Sequence, residues 1–186
     1  MATLFYPHAG CSTRTSSLLV SLSLMMLSLF SAPSQAEVPS TLEANDPINR
    51  ELLAVHNQYR QEVGVPSLVW SIELAQQAQQ WAKHLATLGG NVLIHGNVGE
   101  NLWLGQAGYF SPTEMIQSMG EEKRFFLPGI FPDVSATGNW EDVGHYTQII
   151  WGKTTQVGCA IAIAANHEIL VCRYSPPGNY DGRQVF

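Results

Sequence analysis

Five histidines remain once the first 36 residues are set aside: His56, His84, His95, His145 and His167. Imidazole ligates divalent metals and exchanges protons near neutrality, so these side chains are the first candidates for chemistry. His56 and His84 fall inside helix-patterned segments and His167 in a turn, where structural or solvated roles are expected. His95 and His145 each stand at the edge of a regular element beside glycine, in IHGN and GHYT, where backbone or ligand can approach closely. Either one reads as a hydrogen-bonded structural group or as a ligand. Glu100, set between Gly99 and Asn101, reads as part of the same chemistry or as a carboxylate capping backbone amides.

Other chemistries find no support. The sequence contains no His-Glu-x-x-His helix, no Gly-x-Ser-x-Gly elbow, no P-loop and no glycine-rich dinucleotide fingerprint. Serine, histidine and aspartate occur without a spacing that singles out a triad, and nothing calls for an organic cofactor.

The N-terminus reads as an export signal. Arg14 is the one charge in the first 36 residues, Leu18 to Ala32 is leucine-rich, and Ser34-Gln35-Ala36 places small residues at a cleavage site after Ala36. The apolar run is shorter than a spanning helix needs and serines interrupt it, so a cleaved signal over 1–36 is expected and no stable membrane insertion after cleavage. The expected location is secreted, or periplasmic in a Gram-negative cell. Lys and Arg number 9 against 15 Asp and Glu, and losing Arg14 takes the formal charge from −6 to −7. That balance disfavours nucleic acid and anionic membranes as partners. Cys11 leaves with the signal, so Cys159 and Cys172 remain, and an even pair in an exported chain is most simply one disulfide.

These residues need elements to hold them. Residues 37–45 read as a flexible lead-in and 46–186 as one domain. A helix starts at Asp46-Pro47 with an apolar face Ile48, Leu52, Val55, Tyr59 and stops near Gly64. A second opens at Ser71 and runs to Gly89-Gly90. A third begins at Ser111-Pro112 with a capping box through Glu114 and continues towards Phe125. Tyr146, Ile149 and Ile150 at i, i+3 and i+4 predict a short helix over 144–151. Val157 to Ala164 and Glu168 to Tyr174 read as a hairpin that sets the two cysteines opposite one another. The loop FFLPGIFPDV, Phe125 to Val134, is too apolar for an ordinary turn. It folds over the core or forms a lip through Phe125, Phe126, Ile130 and Phe131 that contacts lipid or a partner protein.

GHYTQIIW at 144–151, VGCA at 157–160, VCRYSPPGNY at 171–180, GENLW at 99–103 and HNQYR at 56–60 together resemble the CAP superfamily, also called SCP domains. That superfamily comprises cysteine-rich secretory proteins, antigen 5 and plant pathogenesis-related 1 proteins. The blocks follow the family's order and span nearly the whole chain after the leader. The resemblance implies an α+β fold, a three-layer α-β-α sandwich with a small antiparallel sheet between helical layers and a wide cleft. It further implies a tetrad of two histidines and two glutamates. His145 and Glu100 match the HYTQ and GENL positions, and His95 matches the histidine ahead of GENL. The second glutamate normally follows a tryptophan by three positions; Ser118 stands in that place, so Glu121 is assigned, with Glu122 as fallback.

Two imidazoles and two carboxylates make a nitrogen and oxygen set suited to Zn²⁺ or another divalent cation. Three functions follow from the resemblance. One is an extracellular binding module for a lipid, a sterol or a partner protein. Another is a metal-dependent hydrolase, protease-like, using His95, Glu100, Glu121 and His145. The last is an interaction protein in which the tetrad is structural. Binding ranks first because the chain presents no complete catalytic apparatus.

Overall fold

The computed structural model describes residues 40–89, 91–96 and 99–186. The proposed leader, 1–36, and residues 37–39 lie outside the described residues.

Local chemistry sets the helix starts. In α1, Pro47–Glu62, the Asp46 carboxylate accepts from the backbone N–H of Ile48 at 2.9 Å and Asn49 at 3.4 Å, and Pro47 fills the first helical position. The chain leaves α1 through Gly64, at φ 74°. Helix α2, Ile72–Thr87, is capped by Ser71 Oγ on Leu74 N, and α3, Pro112–Gly120, carries the full Ser111/Glu114 capping box. Contrary to expectation α3 stops at Gly120, and Glu121–Phe125 winds as a 3₁₀ turn. Gly120 lies against the Tyr59 ring where a Cβ would overlap it. Helix α4, Gly144–Ile149, follows a second 3₁₀ turn, Trp140–Val143.

Strands β3, Gln156–Ala164, and β4, His167–Ser175, form the expected hairpin about Ala165-Asn166, with Cys159 opposite Cys172 and joined to it. Two further strands complete a sheet in the order β1-β3-β4-β2. Strand β2, Glu100–Gln106, runs antiparallel to β4, whereas the short β1, Val69–Trp70, runs parallel to β3, which makes the sheet mixed.

Both faces of this sheet are dry, as the residue alternation along β4 shows. Leu170, Cys172 and Tyr174 join one cluster with Leu52, Tyr59, Met115, Ile116 and Ile149 from α1, α3 and α4, while Ile169 and Val171 join Ala78, Ala82 and Leu85 of α2 on the other face. Helix α2 packs against β3 and β4 through alanines over Gly158 and Ala160, and a Cβ at Gly158 would run into the backbone of Ala75 and Leu74. Helices above and below a four-stranded sheet give the α-β-α sandwich.

The lead-in expectation changes for its described part. Ser40–Leu42 forms a 3₁₀ turn, Leu42 is buried, the Trp70 indole N–H donates to Leu42 O at 3.0 Å, and Asn49 donates to the carbonyls of Thr41 and Glu43. One apolar side chain and three hydrogen bonds tie this segment to α1 and β1, which an unpatterned sequence does not reveal.

Candidate functional site

A cleft of about 440 Å³ opens between the start of β2 and the start of α4, lined by His95, Gly99, Glu100, Asn101, Trp140, Glu141, Gly144, His145, Gly178 and Asn179. Two of the four expected tetrad residues stand on β2 and its leading loop, and a third at the head of α4.

His145 is held from two directions. Glu122, on the 3₁₀ turn after α3, accepts from His145 Nδ1 through Oε1 at 2.6 Å, and its Oε2 accepts from the backbone N–H groups of His145 at 2.8 Å and Tyr146 at 3.0 Å. A carboxylate only accepts, so Nδ1 carries a hydrogen, and in the neutral ring Nε2 presents its lone pair. Glu122 thereby caps the first turn of α4 and fixes the ring, the carboxylate behind imidazole that typifies metal-ligating histidines. It is Glu122, the fallback, and not Glu121 that makes these contacts; Glu121 is exposed, and neither glutamate lines the cleft itself. The tight turn after Gly120 swings Glu122 rather than Glu121 towards α4.

Glu100 is fully buried and committed on both oxygens. Oε1 accepts from Gly96 N at 2.9 Å and faces His95 Nδ1 at 3.5 Å, and Oε2 accepts from Arg173 Nε at 3.0 Å. Arg173 stands opposite Glu100 in the β2–β4 register. Gly99, at φ 66°, lets the chain enter β2 against Pro177 and Tyr174, where a Cβ would collide with Pro177. His95 itself is the open member, with a side chain 61% exposed.

Behind the cleft runs a directional chain of hydrogen bonds. His56 Nδ1 meets the Leu52 carbonyl at 2.7 Å and must donate there, so Nε2 accepts from the Tyr174 hydroxyl at 2.8 Å. The Tyr174 oxygen in turn accepts from Asn101 Nδ2 at 3.2 Å, and the same amide donates to His145 O at 3.0 Å. Burial lowers the His56 pKa to about 4 and pushes Tyr174 above its ordinary value, so both stay neutral. Asn179, in the left-handed region at φ 57°, clamps α4 from the other side through Thr147 Oγ1 and Gly144 O, each at 2.8 Å.

The metal-ligand expectation is thereby narrowed. Both glutamates are spent on hydrogen bonds and an ion pair, which leaves the Nε2 atoms of His95 and His145 as donors. Two carboxylate-backed imidazoles fit a weakly held divalent ion completed by water, and they do not fit a cage of four protein ligands. Among the described residues the group of three donors within 4.8 Å of one another is His56, Cys159 and Cys172. Its sulfurs are joined in the disulfide and both His56 nitrogens are occupied, so this group is structural.

The apolar loop divides. Phe131 and Val134 are buried, Phe131 lying edge-on to Trp140 at 5.3 Å and to Trp151 at 6.2 Å, and Phe126 packs on Tyr146 and Phe186. Phe125 is partly buried against the same core. Phe131 therefore does not form part of an exposed lip, because its ring fills the core beneath Trp140. Leu127 and Ile130 are the exposed apolar side chains of the loop. Sequence reasoning also passed over Arg173, Asn101, Trp140, Glu141 and Asn179; the signal for Arg173 is its register opposite Glu100, legible only once β2 is known to pair with β4.

No helix among the described residues is long and apolar enough to cross a membrane. Pathogenesis-related protein 1A of Nicotiana tabacum is 33% identical over 138 residues, covering 74% of this chain and 80% of that protein. The crystal structure of hookworm platelet inhibitor superposes with a TM-score of 0.65 at 18% identity, covering 82% of this chain and 79% of its own. NaASP2 with Zn²⁺ superposes with a TM-score of 0.63 at 20% identity, covering 81% and 90%. Residues 53–174 match the model of the CAP domain, the cysteine-rich secretory protein family, and the chain belongs to that family.

Proposed function

We propose that this CAP domain is an exported binding module whose cleft holds a divalent cation through Nε2 of His95 and His145. The observation that carries the reading is the placement of the glutamates. Glu122 fixes His145 by Nδ1 and Glu100 faces Nδ1 of His95, so each ring turns the other nitrogen away from its carboxylate. Such backing carboxylates orient imidazole and raise its basicity. A bound ion would polarise water in the cleft; Glu122 and Glu100 themselves orient rings and anchor backbone. The Zn²⁺ of NaASP2 agrees with this donor chemistry. Export rests on the leucine-rich run 18–32 and the small residues at 34 and 36.

Lipid or sterol binding has narrower support, since Leu127 and Ile130 are the loop's exposed large apolar side chains while Phe125 and Phe126 are half-buried and Phe131 is buried. Binding therefore stands ahead of hydrolysis and of an apolar ligand. Zn²⁺ titration calorimetry of the purified protein beside the His95→Ala/His145→Ala double variant tests it. Heat in the first and none in the second is expected; equal heats would refute the assignment.

A further inference from the structure

The cleft has an unusual lining for an apolar ligand. None of its ten lining residues is aliphatic; three are glycines, and the one large apolar group is the Trp140 indole. Of its two carboxylates, Glu100 is paired with Arg173 and Glu141 stands exposed at the lip. A lipid would cover the Glu141 carboxylate, which has no ion-pair partner among the described residues, at a cost in desolvation.

Trp140 is exposed yet immobilised. It is 42% exposed at the lip, while Phe131 abuts it edge-on at 5.3 Å and Gly144 lies beneath its six-membered ring, where a Cβ would stand 3.2 Å from Cζ3. Glu141 follows it on the 3₁₀ turn leading into His145, with Asn139 accepting from Glu141 N at 3.2 Å to fix that turn. A packed, part-exposed indole beside hydrogen-bonding side chains, at the mouth of an open cleft, suits a ligand with one apolar face and a rim of hydroxyls.

We propose that Trp140 and Glu141 form a subsite for a neutral saccharide, the indole stacking on the C–H face of one pyranose ring and the Glu141 carboxylate accepting from its hydroxyls. This rests on the reading of the cleft as the ligand site and names the ligand class it takes. Phe131 and Gly144 hold Trp140 from the protein side, and the 42% of it left exposed is what a sugar would meet.

The test titrates the purified protein with N-acetylglucosamine tetramer and with cellotetraose, beside tetralysine and choline as cationic ligands for an indole and a carboxylate. A neutral tetrasaccharide is expected to bind, and Trp140→Tyr, which keeps a flat aromatic face, is expected to retain it. Trp140→Leu, apolar but not planar, is expected to weaken binding by about tenfold, and Glu141→Gln to weaken it less. Absence of binding by both tetrasaccharides, wild-type affinity in Trp140→Leu, or binding of the cationic ligands alone would overturn the proposal. Glu141→Gln changes an exposed side chain and keeps the test open if Trp140→Leu folds poorly. Zn²⁺ titration of the same variants separates the two readings. Failed sugar binding with Zn²⁺ heat intact overturns the saccharide subsite alone, and lost Zn²⁺ heat with sugar bound overturns the metal reading alone.

Discussion

The buried imidazole of His56 makes stability depend on pH in a calculable way. Burial lowers its pKa from 6.5 to about 4, so between these values the unfolded chain binds a proton that the native protein does not. Stability from this group is therefore complete above pH 6.5 and is lost as pH falls towards 4. From pH 7 to pH 5 the loss amounts to about 2 kcal/mol, a sizeable share of a typical domain's 5–15 kcal/mol. Urea unfolding at pH 7, 6 and 5 reads the effect directly. His56→Gln should be less stable at pH 7, having broken the links to Leu52 and Tyr174, but its stability should fall less steeply with acid by about that amount. Carboxylates and the other histidines titrate in both proteins and cancel in the difference. A variant whose pH slope equals that of the wild type would refute the neutral, buried imidazole and with it the donor order along Tyr174 and Asn101.

Three further substitutions test how α4 and the loop are held. Arg60 is wholly buried and donates to the carbonyls of Pro66, Ile149, Trp151 and Thr154 at 2.7–2.9 Å. Arg60→Met strands these acceptors and should cost about 3 kcal/mol in urea unfolding, the relief of a buried charge offsetting part of the loss; a change below about 1 kcal/mol would contradict that role. Phe131→Ala should cost about 3–5 kcal/mol through the cavity beneath Trp140, whereas Ile130→Ser at 55% exposure should stay within about 0.5 kcal/mol, and comparable losses would contradict the division of the loop.

Local signals carried far into the fold. Asp46-Pro47, Ser71 and the Ser111/Glu114 box mark helix starts that the hydrogen bonds reproduce, and the hairpin pattern set Cys159 against Cys172 in register. What failed depends on tertiary geometry. Ile48 belongs to the expected buried face of α1 by spacing yet is 47% exposed, because the sheet and α3 cover only part of that face. Strand β2 is buried over its first four residues, Glu100 to Trp103, without alternation, a pattern that spacing alone does not distinguish from a buried helix segment. Choosing Glu122 over Glu121 requires knowing that α3 tightens into a 3₁₀ turn at Gly120, where one residue alters the direction by a third of a turn. Trp140 carries no periodic signal at all; its significance lies in what Phe131 and Gly144 do to its two sides.

The central claim is that the two glutamates hold the imidazoles while Nε2 of His95 and His145 faces the ligand. Long-range ¹H–¹⁵N NMR of the histidine rings during Zn²⁺ titration tests it most directly. The account predicts that His145 is the Nδ1–H tautomer when neutral, that Nε2 of both rings shifts on adding Zn²⁺, and that Nδ1 of His145 keeps its hydrogen on Glu122. Zn²⁺ that leaves both Nε2 signals unmoved, or that takes the Nδ1 position of His145, would contradict it.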